Sequence, residues 1–263
     1  MNMERSTLPE LGTHNAEVKR LRALVRDRAA RRSEGQFVAE GPHVVASALD
    51  VASVVYVAAD ATAEARAIAD RALGREIPVR TLAAGVAARV SDTQHAQGVF
   101  AVAPIPGSTL DAVGDATLVL LCEWVADPGN AGTLIRSAVA AGAGGVIFGR
   151  GSVDAYNPKV VRASAGACFA VPIVEDVPIV ATLEWFGDWQ RVGAVASGGE
   201  APEALDLTVR SVLVLGNETH GLSTDAPIDA RVTIPMQAAD SLNVAMAGTV
   251  LLFESARQRR AAR

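Results

Sequence analysis

Lysine is nearly absent from this chain, aromatics are scarce, and there are only two cysteines. Of 24 basic residues all but Lys19 and Lys159 are arginines, and Phe, Trp and Tyr together make up 4% of 263 residues. A core must therefore come from Ala, Val, Leu and Ile. Cys122 and Cys168 form no CxxC pair, which argues against a disulfide framework and a cysteine-bound metal. His14, His43, His95 and His220 are scattered without metal-ligand spacing. No run approaches the ~20 uninterrupted apolar residues of a membrane helix. The opening MNMERSTLPELGTHNAEVKR lacks the apolar stretch of a secretory signal. These absences point to a soluble, cytoplasmic protein with reduced cysteines, no membrane partner and no metal. Also missing are GxxxxGK(S/T), the phosphate-cradling loop of NTPases, and GxSxG, the elbow of a serine nucleophile. GAGGVIFG at 142–149 follows a helix and precedes a strand, the reverse of the order that puts a helix N-terminus on a pyrophosphate, so it reads as a turn.

Net charge is −5, which excludes a general nucleic-acid coat, yet the positive charge is clustered. KRLRALVRDRAARR at 19–32 and the closing RQRRAAR are arginine-rich. Arginine suits bidentate phosphate contact, so a selective RNA surface fits as well as a solvated helix face. Val18, Leu21, Leu24 and Val25 recur at helical spacing and predict one amphipathic helix from Asn15 to about Ala30. The short apolar runs QFVAEG, SVVYVA, IPVRTL and GVFAVAP alternate with alanine-rich segments, which predicts a small α/β unit ending near Ala103. PIPGSTLDAVGD at 104–115 reads as a linker. A second α/β series begins with the strand ATLVLLCEWV and runs to a final helix in SLNVAMAGTVLLFESARQRR. It predicts a mostly parallel sheet with helices on both faces and ligands beyond the carboxyl ends of its strands.

Three strand-to-helix junctions in that second half are unusually polar. Asn130 enters a helix in NAGTLIR with Arg136 six residues on; SVLVL ends on LGNETHGLS; VTIPM runs into Ser241, Leu242 and Asn243. Asn130 and Ser241 could each be only helix caps, and Arg136 could pair with a surface carboxylate. Taken in order, N-x-G-x-x-x-R, L-G-N-E-x-x-G-L-S and I-P-M followed by S-L-N-V resemble the three motifs of the SpoU/TrmH family of RNA 2′-O-ribose methyltransferases, in the SPOUT superfamily. FVAEGPHVVASAL and SDTQHAQGVFAV resemble that family's L30e-like substrate-binding domain, so the resemblance covers nearly the whole chain.

The resemblance implies an L30e-like domain over 1–103, a linker over 104–115, and a SPOUT α/β catalytic domain over 116–263 tied in a deep C-terminal trefoil knot, which sequence pattern alone would never predict. It implies S-adenosylmethionine as methyl donor, an RNA substrate (rRNA, 23S first, with tRNA as the alternative), and a homodimer through the catalytic domain with the final helix near the interface. Leu215, Gly216, Asn217, Ile234, Met236 and Leu242 match the cofactor lining. Arg136, Asn130, Glu218, Ser241 and Asn243 match the catalytic set, with Glu218 holding Arg136, and Arg162 matches an RNA-contacting arginine. A guanidinium stays protonated, so Arg136 is expected to orient phosphate and stabilise developing alkoxide charge rather than act as a base. His220 occupies a variable motif position and is left outside the set. Only QAAD separates Met236 from Ser241, a loop shorter than in many relatives, which bears on the contacts of Met236. Two other readings share the scaffold: a catalytically silent RNA-binding protein, which the intact polar set argues against, and a methyltransferase acting on a base nitrogen, which the motif set disfavours.

Overall fold

Apolar periodicity divides this chain into two sheets, each buried where its strands are most continuous. A computed structural model describes residues 9–217, 221–238 and 241–262. Its contacts form two units: residues up to Ile105 together with Tyr156–Arg162, and Pro106–Ala155 together with Ala163–Arg263.

The first unit opens with helices α1 (Ala16–Arg26) and α2 (Arg28–Glu34). Strand β1 (Gln36–Glu40), helix α3 (Pro42–Ala48), strand β2 (Val54–Ala58) and helix α4 (Ala63–Leu73) follow. Strand β3 (Val79–Leu82), helix α5 (Val86–Val90) and strand β4 (Val99–Pro104) complete it. The sheet order is β1-β4-β2-β3, antiparallel except for β2 beside β3. Val18, Leu21, Leu24 and Val25 are buried, as their spacing predicted. The single first helix is not what forms, however. Asp27 leaves helical geometry at φ −121°, ψ 117°, and its carboxylate accepts the Ala29 N–H at 2.8 Å. An aspartate placed to cap costs less outside a helix than inside one, so α1 stops and α2 starts. Residues 156–162 pack within this unit: the Tyr156 ring lies 4.7 Å from that of Phe37, and Arg162 pairs with Glu40 at 3.1 Å and Asp92 at 2.7 Å. Burial raises the Glu40 carboxyl above its ordinary value, against the pull of the Ser91 hydroxyl and Arg162.

The second unit runs β5 (Leu118–Cys122), α6 (Pro128–Ala141), β6 (Val146–Gly149), α7 (Pro158–Ala163, its bulk in the first unit) and β7 (Ile173–Val177). It continues through α8 (Ile179–Trp185), β8 (Gln190–Ala194), β9 (Ser211–Leu215), β10 (Ala230–Val232) and α9 (Val244–Ala261). All neighbours in the order β10-β8-β9-β5-β6-β7 are parallel. β5 and β9 are buried at every position, as central parallel strands covered on both faces must be. Val119, Leu121, Val212 and Val214 share one face with Ile179, Leu183 and Phe186 of the α8 region. On the other face α9 comes close enough that a Cβ on Gly248 would lie 2.5 Å from Leu134 Cδ2 of α6 and 2.6 Å from Leu215 Cδ1 of β9. Ser137 and Thr249 hydroxyls join the two helices at 2.7 Å. The glycines of 142–149 do what their order predicted: Gly142, at φ +83°, ends α6, and the chain then enters β6.

Gly248→Val forces three side-chain carbons, branched at Cβ, into the α6–α9–β9 contact. Overpacking of this kind costs about 1–3 kcal/mol, so the variant's urea midpoint should fall; an unchanged midpoint would mean the contact can relax without cost.

Candidate functional site

Because every strand of the second sheet points the same way, the carboxyl ends of β8, β9 and β10 share one edge, and a cavity of about 500 Å³ opens there. Leu215, Gly216 and Asn217 form one wall, and Val232, Ile234 and Met236 a second. Ser241, Leu242 and Asn243 lead into a third, made of Val244, Ala247 and Leu251 of α9. All six residues matched to a cofactor lining therefore face one cavity, mostly through aliphatic carbon and backbone. Ala194, Val195 and Ala196 from the end of β8 complete it. Sequence reading missed these three. Their only signal is a strand that ends on small residues beside one that ends on GNE.

Gly216 shows why glycine is required at the rim. A Cβ there would fall 2.4 Å from the carbonyl of Gly221 and 2.6 Å from Leu222 N. Asn217 and Gly221 exchange two backbone hydrogen bonds of 2.9 Å, closing the loop on itself, and Gly221 sits at φ +70°. Glu218 and His220 lie outside the described residues. The loop is anchored by Glu123, a residue the sequence reading did not single out: 2% exposed, it accepts the Ser223 N–H at 3.1 Å and the Ser223 hydroxyl. Its signal was a lone carboxylate at the end of the apolar run LVLLC.

Neither of the residues that could have been only a helix cap is one. Asn130 is not the cap of α6. Asp127 is: its carboxylate accepts the Asn130 N–H at 2.8 Å, and Pro128 takes the first helical position, where a missing N–H costs nothing. The cap of α9 is Asn243 rather than Ser241, with Oδ1 accepting from Ala245 N at 2.9 Å and Met246 N at 3.4 Å. Asn243 Nδ2 donates to Asn130 Oδ1 at 3.1 Å, tying the starts of α6 and α9 together. Ser241 is left to line the cavity. Arg136 is exposed further along α6 and makes no ion pair among the described residues. Arg162 lies in the first unit, where its guanidinium pairs with Glu40 and Asp92. Among the described residues no cluster of three or more His, Cys, Asp or Glu is placed to hold a metal ion. Burial pushes the Cys168 thiol up to about 11 and the fully buried Cys122 thiol higher still, so neither supplies a thiolate nucleophile.

The SpoU rRNA methylase family model matches residues 117–253, and an MRM3-like substrate-binding domain matches residues 15–101. The chain belongs to the SpoU family. It is 31% identical over 261 residues to an uncharacterized tRNA/rRNA methyltransferase of Synechocystis sp., covering 95% of this chain and 94% of that protein. It is 32% identical to the 23S rRNA guanosine 2′-O-methyltransferase RlmP of Bacillus subtilis, covering 85% and 89%. The fold superposes on the SpoU methyltransferase AviRb of Streptomyces viridochromogenes, solved with AdoMet bound, with a TM-score of 0.83 and 29% identity over 95% of this chain and 100% of that one. An AdoMet-bound rRNA methyltransferase of Sinorhizobium meliloti gives 0.82 and 29% over 95% and 97%. The α/β architecture expected from the resemblance is thus the one observed.

Glu123→Ala strips the half-buried Ser223 N–H and hydroxyl of their acceptor. Losing a hydrogen bond to a charged acceptor costs about 1 kcal/mol or more, so a lower melting temperature should accompany faster amide exchange at 221–223; exchange unchanged there would remove Glu123 as the loop's anchor.

Proposed function

We propose that this protein transfers a methyl group from S-adenosylmethionine to a ribose 2′-hydroxyl of RNA, with 23S rRNA as substrate. The observation that carries the proposal is the cavity itself: about 500 Å³, within the range of small-molecule sites, and walled by the second and third motifs. The donor fits this lining, since Gly216 leaves room at the rim where any side chain would collide and the aliphatic walls suit an apolar adenine face. Leu215, Gly216, Asn217, Ile234, Met236 and Leu242 would hold it. When bound it supplies an electrophilic methyl group.

The chain's own residues position and compensate charge. The joined starts of α6 and α9 present the positive ends of two helix dipoles beside the cavity mouth. Asn130, Ser241 and Asn243 fix that arrangement and order the acceptor ribose. Arg136, permanently cationic and free of ion pairs among the described residues, holds a substrate phosphate and stabilises charge developing on the 2′-oxygen. Holding two reactants in line is the larger part of such catalysis. A role for Glu218 in steadying Arg136 rests on the family motif alone. The deep knot is inferred likewise, supported by the convergence of the segments after β9 and β10 on one cavity. Action in the cytoplasm follows from the rRNA substrate; no described helix is long and apolar enough to cross a membrane.

The domain limits 1–103, 104–115 and 116–263 are retained as a proposal, supported by the division of contacts near Ile105, although Val113 of the intervening stretch packs in the core of the second unit. The first unit is assigned to RNA binding. Met246, Val250 and Phe253 are exposed at i, i+4 and i+7 on α9, an apolar stripe that we assign to a homodimer interface.

Tritiated methyl transfer from S-adenosylmethionine to separately purified, unmodified 23S rRNA, 16S rRNA and bulk tRNA tests the function. Label in 23S rRNA, resistant to alkaline cleavage at one ribose, is expected; label in tRNA alone would reassign the substrate, and label on a base would overturn the reaction. Arg136→Ala should abolish transfer while calorimetric cofactor binding stays near wild type, and retained turnover would remove Arg136 from the mechanism. Met246→Glu combined with Phe253→Glu should convert a dimer to a monomer in sedimentation; a persisting dimer would place the interface elsewhere.

A further inference from the structure

Along the same carboxyl edge stands one aromatic side chain that neither the core nor the cavity uses. Trp124 lies two residues beyond β5 and is 54% exposed. Its φ is +58°, the left-handed region where glycine is at ease and a side chain is strained. Strain of this kind persists where the surroundings impose it, and such positions cluster at functional sites. The surroundings here are specific. Gly151 lies beneath the indole, so close that a Cβ on it would sit 2.7 Å from Cε3 and Cζ3. The Trp124 carbonyl accepts from Asn217 Nδ2 at 3.2 Å, and Asn217 lines the cavity. Glu123, immediately before it, is buried and bound to Ser223. One face of the ring is thus supported while the side chain as a whole stays open to solvent. In strand order it stands next to the cavity, since β5 neighbours β9, and exposed Arg150 follows on the β6 side.

We propose that Trp124 is a stacking platform for an unpaired RNA base adjacent to the methylated nucleotide, with Arg150 taking a neighbouring phosphate. The proposal rests on the methyltransferase reading and adds a base-binding subsite to it. A ribose delivered to a recessed cavity must leave its helical stack, and the lost base stacking has to be replaced by the protein. Aromatic side chains do this without regard to base identity, because every base has a π-face. A tryptophan held in a backbone conformation that suits glycine, over a glycine that leaves it room, is arranged for such a contact rather than for the core.

Wild type, Trp124→Gly and Trp124→Phe are compared as full-length proteins for retention of in vitro transcribed 23S rRNA fragments, for calorimetric binding of S-adenosylmethionine, for melting temperature and for sedimentation. Stacking on one base corresponds to about a tenfold or greater change in affinity. Trp124→Gly should therefore weaken RNA retention about tenfold with cofactor binding unchanged, and should melt no lower than wild type because glycine relaxes the strained φ. Trp124→Phe should keep most of the affinity. Wild-type RNA retention by Trp124→Gly would overturn the proposal, as would a parallel loss of cofactor binding and melting temperature (a role in the fold) or a monomeric variant (a role at a subunit interface). If wild type binds RNA but methylates none, the methyltransferase reading fails while retention still decides the stacking contact. If wild type binds no RNA, both fall.

Discussion

A parallel sheet buried on both faces has nowhere to do chemistry except at its edge, and this constraint organises the second unit. β5 and β9 bury every side chain, so polar groups open to a ligand can appear only beyond the strands. Parallel pairing makes all those ends coincide. Three loops that are remote in sequence then meet without any long-range polar contact having to draw them together. The hydrophobic drive to cover the sheet brings α9 onto α6 and β9, and Gly248 sets how near it comes. The position of Asn243 against Asn130 is a consequence of that packing.

Helix capping and site building compete for the same residue types, and the structure separates the two tasks. Asp127 and Pro128 complete the start of α6, so the carboxamide oxygen of Asn130 is available to Asn243. Asn243 does both jobs, since one side-chain oxygen accepts from backbone while its nitrogen donates across to the other helix. An aspartate there could cap but could not donate. A serine could cap but would not reach. The geometry accounts for asparagine at this position by its need for an acceptor and a donor on one short side chain.

Much of this was legible in the sequence, for identifiable reasons. Short, unbroken apolar runs located the strands, and the order of glycines at 142–149 excluded a dinucleotide loop. The second and third motifs named six of the residues that line the cavity, Leu215, Gly216, Asn217, Ile234, Met236 and Leu242. What could not be read was anything decided by three-dimensional neighbours. Asp27 splits the first helix because its carboxylate finds Ala29, although the apolar spacing continues past it. Residues 156–162 leave their sequence neighbours for the first unit through a tyrosine–phenylalanine contact and an arginine between two carboxylates. In that segment Arg162, matched by motif to RNA, also makes ion pairs within the first unit. Glu123 was overlooked because a single acidic residue after a strand is ordinarily solvated; only burial and its bonds to Ser223 distinguish it.

The placement of Arg136 limits what the substrate can be. Asn130 and Arg136 are six residues apart on one helix, which turns about 100° and rises ~1.5 Å per residue. Their side chains therefore leave α6 about 120° apart in direction and ~9 Å apart along its axis. Asn130 is committed to the α9 junction, whereas Arg136 is exposed. A free nucleoside seated at the cavity mouth would engage the first and not the second. A chain of nucleotides can do both, presenting one ribose to the cavity and a backbone phosphate to the helix flank. On this geometry an exposed arginine outside the cavity is not a misplaced catalytic group. Under the proposed function it is where a polymeric, phosphate-bearing substrate would meet the protein, and it would favour RNA over its monomers before any base is read.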